Sequence, residues 1–267
     1  MAALRVHGVD FSGAVDAGRK IWIASGAIER GGLRINECRR AADLPGSGRD
    51  RDRCLAALRD FIATQRDCAF GLDYPFGLPR ALVKEKTWED FVLSFPDRYA
   101  SAAAFRRACR AAARGAELRR ATDRESRTPF SPYNLRLYRQ TYFGIRELLH
   151  PLVREHLACV PPMQRLHPGR PWIFEICPAS LLKRDQLYFP YKGRSETHRE
   201  ARARILRRIE KLIPLSFTGE ALRADVIRDP GGDALDSVIA ACGTFRALRQ
   251  PAPLTNSAYA LEGYVYV

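Results

Sequence analysis

Three acidic residues of the chain lie among apolar neighbours, where a charge is costly to bury. They are Asp10 in the run HGVDF, Asp73 in GLDYP and Glu175 in IFEIC. A buried carboxylate costs several kcal/mol unless it is paired or bound to a cation. Because Mg²⁺ and Mn²⁺ prefer oxygen ligands and neutralise clustered acids, one divalent-metal site would account for all three residues.

Two further acids, Asp233 and Asp236, lie three residues apart in a segment that we predict to be helical. At this spacing both side chains project from the same helix face. Together with the three strand acids they could hold two ions about 3.5–4 Å apart, the separation used for in-line displacement at phosphorus. Four of these acids also have a structural explanation, such as Asp233 serving only as the N-cap after Gly231 and Gly232, whereas Glu175 has no cheap structural role. The prediction therefore rests on the joint pattern.

The elements that would position these acids follow from apolar periodicity and turn residues. Apolar runs bounded by turns predict five strands, at residues 4–9, 20–28, 32–38, 68–74 and 172–177. Helical spacing predicts helices at residues 50–65, 138–157, 196–213 and about 233–248. The predicted fold class is α/β, with a mixed five-stranded sheet flanked by helices. Asp10 and Asp73 lie at strand ends, and Glu175 lies inside the fifth strand.

Residues 80–170 differ from the rest, because they are rich in Ala and Arg and read as helices and loops. We predict a single domain over residues 1–267, with this Arg-rich helical segment as an insertion in the core or a lid over it. Arg106, Arg110 and Arg114 recur every four residues, which predicts an arginine stripe on one helix face. In the helix over 196–213, Leu212 is predicted to lie on the apolar side.

The net charge of +14 is concentrated in two blocks. Residues 98–146 contain twelve arginines and no lysine against three acids, and residues 183–211 contain ten basic residues against four acids. Two basic blocks on an otherwise balanced chain indicate a polyanionic partner, so we expect nucleic acid or another phosphate-bearing polyanion. Two solvated helix faces would explain the same charge equally well.

The cysteines and the hydropathy exclude other classes. The chain has seven cysteines, none at CxxC spacing, so neither a disulfide framework nor a cysteine-rich zinc knuckle is expected. No run approaches the roughly 20 apolar residues of a membrane span. The first residues lead into a predicted strand and do not resemble a secretory leader. We expect a cytoplasmic protein that has no membrane partner.

Four segments resemble a known family. The runs GVDFSGA, GLDYPFGLP, FEICPAS and GDALDSVIAA, in this order, resemble the uncharacterised domain family of predicted ribonuclease-H-like nucleases, and the closing EGYVYV is similar to that family's last strand. The resemblance implies a mixed sheet in the strand order of the ribonuclease H superfamily. It also implies a site at the positions of Asp10, Asp73, Glu175, Asp233 and Asp236.

The resemblance further implies separate roles for some of these residues. Asp236 precedes a small-residue helix face and resembles the principal helix ligand. The implied metal ligands are therefore Asp10, Asp73, Glu175 and Asp236. Lys192 resembles a lysine that follows the family's Glu motif and would suit a phosphate contact. In the insertion, Arg120, Asp123 and Gln140 are candidates for lining the substrate cleft. The chain departs from the family where Gly232–Asp233 replaces an acid pair.

We therefore expect a Mg²⁺- or Mn²⁺-dependent nuclease that hydrolyses phosphodiester bonds of nucleic acid. One alternative is an actin-like or sugar-kinase-type ATP-dependent phosphotransferase, although the turn DFSGA lacks the Thr of the DxGxT pattern. Another is a non-catalytic binding module that keeps the acidic pocket. The kind of nucleic acid and the oligomeric state stay open, and a predicted last strand at 262–267 could pair with another chain.

Overall fold

The computed structural model describes residues 4–250 and 256–267, which form an α/β fold around one mixed sheet. Within these residues the strands are β1 (Arg5–Asp10), β2 (Trp22–Glu29), β3 (Gly32–Arg40), β4 (Cys68–Leu72), β5 (Trp172–Ile176), β6 (Leu215–Phe217) and β7 (Val265–Tyr266). Their order across the sheet is β6-β3-β2-β1-β4-β5-β7. Strand β2 is antiparallel to both β1 and β3, and the other neighbours are parallel.

The sheet has seven strands, so the predicted number of five is wrong. The five predicted strands are β1 to β5, and the sheet continues at each edge with a short strand. Strands of two or three residues, such as β6 and β7, are too short to show a period-2 pattern. The last strand, predicted at 262–267, is limited to Val265–Tyr266, and it pairs in parallel with β5 at the sheet edge.

Helices flank the sheet on both sides. The α-helices are α1 (Ala17–Lys20), α2 (Arg51–Thr64), α3 (Trp88–Arg98), α4 (Ala102–Ala112), α5 (Ala121–Glu125), α6 (Tyr138–Phe143), α7 (His150–Arg154), α8 (Pro178–Arg184), α9 (Glu196–Leu212), α10 (Glu220–Arg228), α11 (Asp233–Ala247) and α12 (Tyr259–Glu262). Short 3-10 helices lie at Ala41–Asp43 and Arg80–Leu82. A π-helical segment, Gly144–Leu149, joins α6 to α7 and makes residues 138–154 continuously helical, so the helix predicted at 138–157 is present but ends at Arg154.

Two predicted helix details are wrong. Helix α4 ends at Ala112, and Arg114 follows it with a left-handed φ of 51°, so only Arg106 and Arg110 of the predicted stripe are helical. In α9 Leu212 is 53% exposed and is the last residue of the helix, so it does not lie on the buried side as predicted. The buried side of α9 also holds Arg202, beside Ile205 and Ile209, which the sequence did not predict.

The two faces of the sheet carry separate hydrophobic cores. On one face Val6 and Ala69 pack with α8, α9 and α11. On the other face Val9, Phe70 and Leu72 pack with α2 and with the helices of the insertion. Alternate residues of a strand point to opposite faces, so each central strand contributes to both cores. The insertion of residues 80–170 therefore shares a core with the sheet.

Two further observations concern membrane-spanning helices and the cysteines. No helix in the described part of the chain is both long and apolar enough to cross a membrane. All seven cysteines are free thiols, as predicted from their spacing.

Candidate metal-binding site

Two predicted site residues meet at the carboxyl edge of the sheet. Asp10 is the last residue of β1, and Asp73 follows the last residue of β4. The strands are parallel neighbours, and the backbone N–H of Asp73 donates to the carbonyl oxygen of Val9 at 3.1 Å. Because parallel strands end at the same edge, both carboxylates lie at this edge of the sheet, and the charge of Asp73 raises the pKa of Asp10.

Helix α11 reaches these strand ends because two glycines let it lie directly on the sheet. A Cβ atom at Gly8 of β1 would lie 2.1 Å from the backbone nitrogen of Ala241, and one at Gly71 of β4 would lie 2.0 Å from Thr244 Oγ1. Real Cβ contacts are never this short, so the helix packs against backbone with no side-chain layer between. Asp10 lies two residues after Gly8 and therefore faces the same helix.

The start of α11 differs from the prediction in one detail. The N-cap is Gly232, with a left-handed φ of 76°, and Asp233 is the first helical residue. The free backbone N–H of Ala234 donates to Asp229 Oδ2 at 3.1 Å, so Asp229 performs the capping predicted for Asp233. The Asp233 carboxylate is thereby left available to the site.

Three carboxylates converge at this point. Asp10, Asp233 and Asp236 each offer an oxygen atom, and these atoms all lie within 4.8 Å of one another. Asp10 is 9% exposed and Asp236 is 4% exposed, whereas Asp233 is half-buried. The structure thus brings two predicted ligands, Asp10 and Asp236, into one group with the predicted site residue Asp233. Asp73 lies close enough for its charge to act on Asp10. We call Asp10, Asp73, Asp233 and Asp236 the acid cluster.

Burial and mutual repulsion raise the pKa values in the acid cluster. Burial raises the pKa of Asp10 well above its usual range, and the charges of Asp236 and Asp73 raise it further. Burial, followed by the charge of Asp236, raises the pKa of Asp73 to about 8. Desolvation and like charges both favour the neutral acid, so the ionised cluster lacks positive charge.

Lys192 supplies the positive charge that reaches the acid cluster. Its Nζ lies 2.6 Å from Asp236 Oδ2 and 3.3 Å from Asp233 Oδ1, and its side chain is 51% exposed. Burial would lower the pKa of Lys192, but the carboxylates of Asp236 and Asp10 outweigh it and hold that pKa above its usual value. The predicted phosphate contact of Lys192 stays a prediction, because in this structure its ammonium contacts carboxylates.

The loop that carries Lys192 is held in place by hydrogen bonds from α9. The buried Arg202 of α9 donates from Nη1 to the carbonyl oxygens of Tyr191 and Gly193, at 2.7 and 3.0 Å. Next to Lys192, the hydroxyl of Tyr191 donates to Asp236 Oδ1 at 2.6 Å. Tyr191 and Arg202 therefore orient Asp236 and Lys192.

The structure does not bring Glu175 into the acid cluster. Glu175 pairs in register with Leu72, so its side chain faces the insertion rather than α11. Both of its carboxylate oxygens accept from Arg120, and Oε2 also accepts from the backbone N–H of Phe76 at 3.0 Å. This carboxylate already has a cation and a third donor, so we do not retain Glu175 as a metal ligand.

Arg120 and Asp123 belong to the same buried pair. Arg120 is 1% exposed, and its Nη2 donates to Asp123 Oδ1 at 2.7 Å. Its remaining contacts are with Glu175 and the carbonyl oxygen of Glu262. We call Arg120, Asp123 and Glu175 the arginine network. Its polar atoms bind one another, so Arg120 and Asp123 hold no free hydrogen-bonding group for a substrate, and their place in a substrate cleft stays a prediction.

An open pocket of about 300 Å³ adjoins the acid cluster. Asp10 and Asp233 line one side, and the cationic lining consists of Lys20, Arg136, Arg139 and Lys192. Gln140 lies in the same lining, and its side-chain amide donates to the carbonyl oxygen of Phe11 at 2.6 Å. Gln140, a predicted site residue, therefore fixes the loop after β1. The pocket offers positive groups to an anion held next to the carboxylates.

Four residues around the site were absent from the sequence-based prediction: Lys20, Arg136, Arg139 and Tyr191. Arg136 and Arg139 lie in the segment SPYNLRLYRQT, from which only Gln140 was predicted. Their spacing of three residues, next to Gln140, was an available signal. Nothing in the sequence around Tyr191 indicates that its hydroxyl reaches Asp236, because the contact joins residues 45 positions apart.

Comparison with known proteins identifies a family for most of the chain. Residues 8–252 match the family model described as "Protein of unknown function (DUF429)". No curated protein and no solved structure matches the chain. The matched residues include all of the acid cluster and the arginine network, and they cover well over half of the sequence. The chain therefore belongs to the DUF429 family of proteins of unknown function.

Proposed function

We propose that this protein is a divalent-metal-dependent phosphodiesterase that hydrolyses nucleic acid. The observation that carries the proposal is the acid cluster, in which three carboxylate oxygens lie within 4.8 Å of one another at the edge of a cationic pocket. The resemblance of the sequence to ribonuclease-H-like nucleases adds support. Asp10, Asp233 and Asp236 would hold Mg²⁺ or Mn²⁺, with Asp73 as a neighbouring acid.

The residues present fit such an ion. All four donors are carboxylates, which are the hard oxygen ligands that Mg²⁺ and Mn²⁺ prefer. Opposite ligands of Mg²⁺ lie about 4 Å apart, and the oxygens of the three acids lie within 4.8 Å. Burial, followed by the charges of neighbouring acids, raises the pKa values of Asp10 and Asp73. In residues 4–250 and 256–267, Lys192 is the one basic side chain within salt-bridge distance of the acid cluster, and it contacts Asp233 and Asp236.

The residues around the acids are suited to bind and orient a phosphodiester. When bound, a divalent cation lowers the pKa of water and neutralises charge that develops on phosphate oxygens. Arg136, Arg139 and Lys20 can contact the non-bridging phosphate oxygens from the open pocket. Tyr191 holds the Asp236 carboxylate in one orientation by donating to Oδ1. These roles require the acid cluster to stay negative and the lining of the open pocket to stay positive.

The exposed arginines of the insertion would bind the rest of a polyanion. Arg107, Arg114 and Arg127 are exposed, and the described residues place no acidic side chain within salt-bridge distance of them. Phosphate contacts of this kind release counterions, so nucleic-acid affinity should fall steeply as salt rises. The basic block thus supplies a non-specific binding surface around the acids.

The test is cleavage by the full chain of labelled single-stranded, duplex, hybrid and branched oligonucleotides, with Mg²⁺, Mn²⁺ or EDTA. We expect cleavage with either metal, none in EDTA, and none by Asp10→Asn. Asp225→Asn is the matched control, because Asp225 is an exposed acid paired with Arg228 on α10. ATP hydrolysis is measured in parallel.

Retained cleavage by Asp10→Asn would contradict the proposed site. Failure of the wild type to cleave any of the substrates would overturn the nuclease proposal, and ATP turnover in its place would favour the phosphotransferase. Binding of Mn²⁺, followed by electron paramagnetic resonance, separates a lost metal site from a lost activity.

A further inference from the structure

We propose that a second, more enclosed pocket beside Asp73 binds one unpaired nucleobase of the substrate, so that the protein acts on single-stranded or terminal nucleotides. This inference rests on the proposed function and names its substrate class. It concerns a pocket that is lined by Asp73 and whose lining shares no residue with that of the open cationic pocket. We call this second pocket the base pocket.

The base pocket is small and mainly apolar. Its volume is about 100 Å³, and its apolar walls include Pro75, Pro129, Phe130, Leu137, Ile176 and Val265. A single water needs roughly 10–15 Å³ of such space, so this pocket is several waters in size. Pockets for drug-sized ligands begin at about 300 Å³. The volume therefore suits one flat ring system and excludes a larger ligand.

The base pocket is continuous with the acid cluster. Asp73 lines it, and the charge of Asp236 raises the pKa of that same Asp73. On the solvent side, the guanidinium of Arg136 lies 5.4 Å from the centre of the Phe130 ring. Phe130 lines the base pocket and Arg136 lines the open pocket. One ligand can therefore place a ring beside Phe130 and a phosphate beside Arg136.

The polar groups of the base pocket leave room for recognition of a neutral ring. The arginine network forms part of the wall, but its charges are paired with each other. Tyr74 also lines the pocket, is 2% exposed, and its hydroxyl finds no hydrogen-bond partner in the part of the chain that the structure covers. That hydroxyl is itself buried, and its end of the ring packs against Gly144, so it is not presented to the pocket. The wall that a ligand would meet is therefore mainly apolar, which suits a neutral ring.

A nucleotide satisfies these conditions together. It joins a flat apolar-faced ring with polar edges to a phosphate through one sugar. In a duplex the ring is stacked and paired, and it must be extruded before it can enter a pocket. The ring of an unpaired nucleotide is free to enter, which gives the protein its preference.

The test measures binding in EDTA by fluorescence anisotropy, so that cleavage does not interfere. The probes are a labelled single strand, the same strand with an abasic sugar at every position, and its duplex. We expect the wild type to bind the base-bearing strand about tenfold more tightly than the abasic strand, as one stacked base contributes. Ala179→Phe, which fills the pocket, should reduce this ratio to about one.

Ala203→Phe, a similarly half-buried alanine on α9, is the matched control and should keep the wild-type ratio. If Ala179→Phe fails to fold, as judged by circular dichroism, Phe130→Ala replaces it, because half-buried Phe130 contributes less to the core. An Ala179→Phe or Phe130→Ala protein that keeps the tenfold ratio overturns the base pocket. A wild-type ratio of one overturns it equally.

Two further measurements separate this proposal from the proposed function. Cleavage of abasic strands and duplex at the rate of single strands would remove the base pocket and leave the nuclease intact. A base preference in binding without any cleavage would remove the nuclease and leave the pocket. Free adenosine monophosphate is added as a competitor to distinguish recognition of a single nucleotide from recognition of a chain. Only a chain gains affinity from the exposed arginines, so the free nucleotide should compete more weakly than an unlabelled single strand.

Discussion

The acid cluster and the arginine network are two groups of buried carboxylates that differ in how their charge is balanced. In the arginine network, Arg120 contacts both Glu175 and Asp123 and is itself buried. In the acid cluster, four carboxylates share Lys192, whose side chain is half exposed. The first group has one buried cation bonded to both of its carboxylates, whereas the second has one half-exposed cation for four acids. A buried charge without a partner is costly, so the second group would gain more from a cation bound from outside. We expect this contrast to distinguish a structural ion pair from the proposed metal site.

The sharpest way to break this comparison is to neutralise one acid in each group. Asp236→Asn should lower metal-dependent cleavage by about 1,000-fold, since a catalytic cation contributes several kcal/mol and each 1.4 kcal/mol is about tenfold. Glu175→Gln should change the Mn²⁺ dissociation constant by less than about threefold, because Glu175 is paired with Arg120. Cleavage rates and Mn²⁺ titrations check both. Loss of Mn²⁺ binding in Glu175→Gln would merge the two groups into one site.

The second prediction removes the cation of the arginine network. Arg120→Met leaves Glu175 and Asp123 buried without a partner, so the free energy of unfolding should fall by about 3–5 kcal/mol. Urea denaturation measures this change. The control Arg228→Met breaks an exposed pair with Asp225 and should cost about 1 kcal/mol or less. An equal cost in the two variants would contradict the structural role of the network.

The third prediction concerns how stability depends on pH, and in which direction an Asp-to-Asn substitution changes the free energy of unfolding in each group. The folded-state pKa of Asp73, about 8, lies above its ordinary value of 3.8, so the folded state holds an extra proton between these values. The metal-free protein should therefore lose stability as the pH rises from about 4 to about 8. Above pH 8, Asp73→Asn should raise the free energy of unfolding by on the order of 2–3 kcal/mol.

The counterpart in the arginine network is Asp123→Asn, which should lower the free energy of unfolding by about 1–3 kcal/mol at pH 7. Denaturation in EDTA across pH 4 to 9 tests both variants. Adding Mg²⁺ at pH 8 should stabilise the wild type, because the ion binds only the folded state. If both substitutions shift stability in the same direction, the contrast between the groups is lost.

The smallest expected effect is at Lys192. Lys192→Met removes the ammonium that competes with a metal for Asp236, so the affinity for Mn²⁺ should rise, by up to about fivefold for a half-exposed pair. Isothermal titration calorimetry measures this affinity. Lys211→Met, at an exposed lysine of α9, should leave it unchanged. A weaker affinity in Lys192→Met would show that the lysine supports the ligands rather than competing with them.

The sequence predicted the positions of the acids better than their partners. Asp10 and Asp73 were placed at strand ends because apolar runs precede them, and Asp233 and Asp236 were placed on one helix face by their spacing. The same reasoning placed Glu175 on a strand, but the face it occupies depends on its register with Leu72. Register is set by pairing between strands, which a single strand's sequence does not contain.

The partner of Glu175 was also beyond the sequence. Arg120 lies 55 residues earlier, in an insertion whose path over the sheet no local pattern describes. Strands β6 and β7 were missed or misplaced for a related reason, because two or three residues do not establish a period. Local patterns therefore predicted the elements, and contacts between distant elements decided which predicted residues share a site.

The glycines beneath α11 have a mechanical consequence. At Gly8 a methyl group would overlap the helix backbone, so Gly8→Ala must push α11 outward by at least about 1 Å, since packed interiors do not compress. Because Asp233 and Asp236 travel with the helix while Asp10 stays on β1, the displacement would widen the gap between ligands without altering any of them. The lack of a side chain at Gly8 therefore sets the distance between the carboxylate on β1 and the two carboxylates on α11.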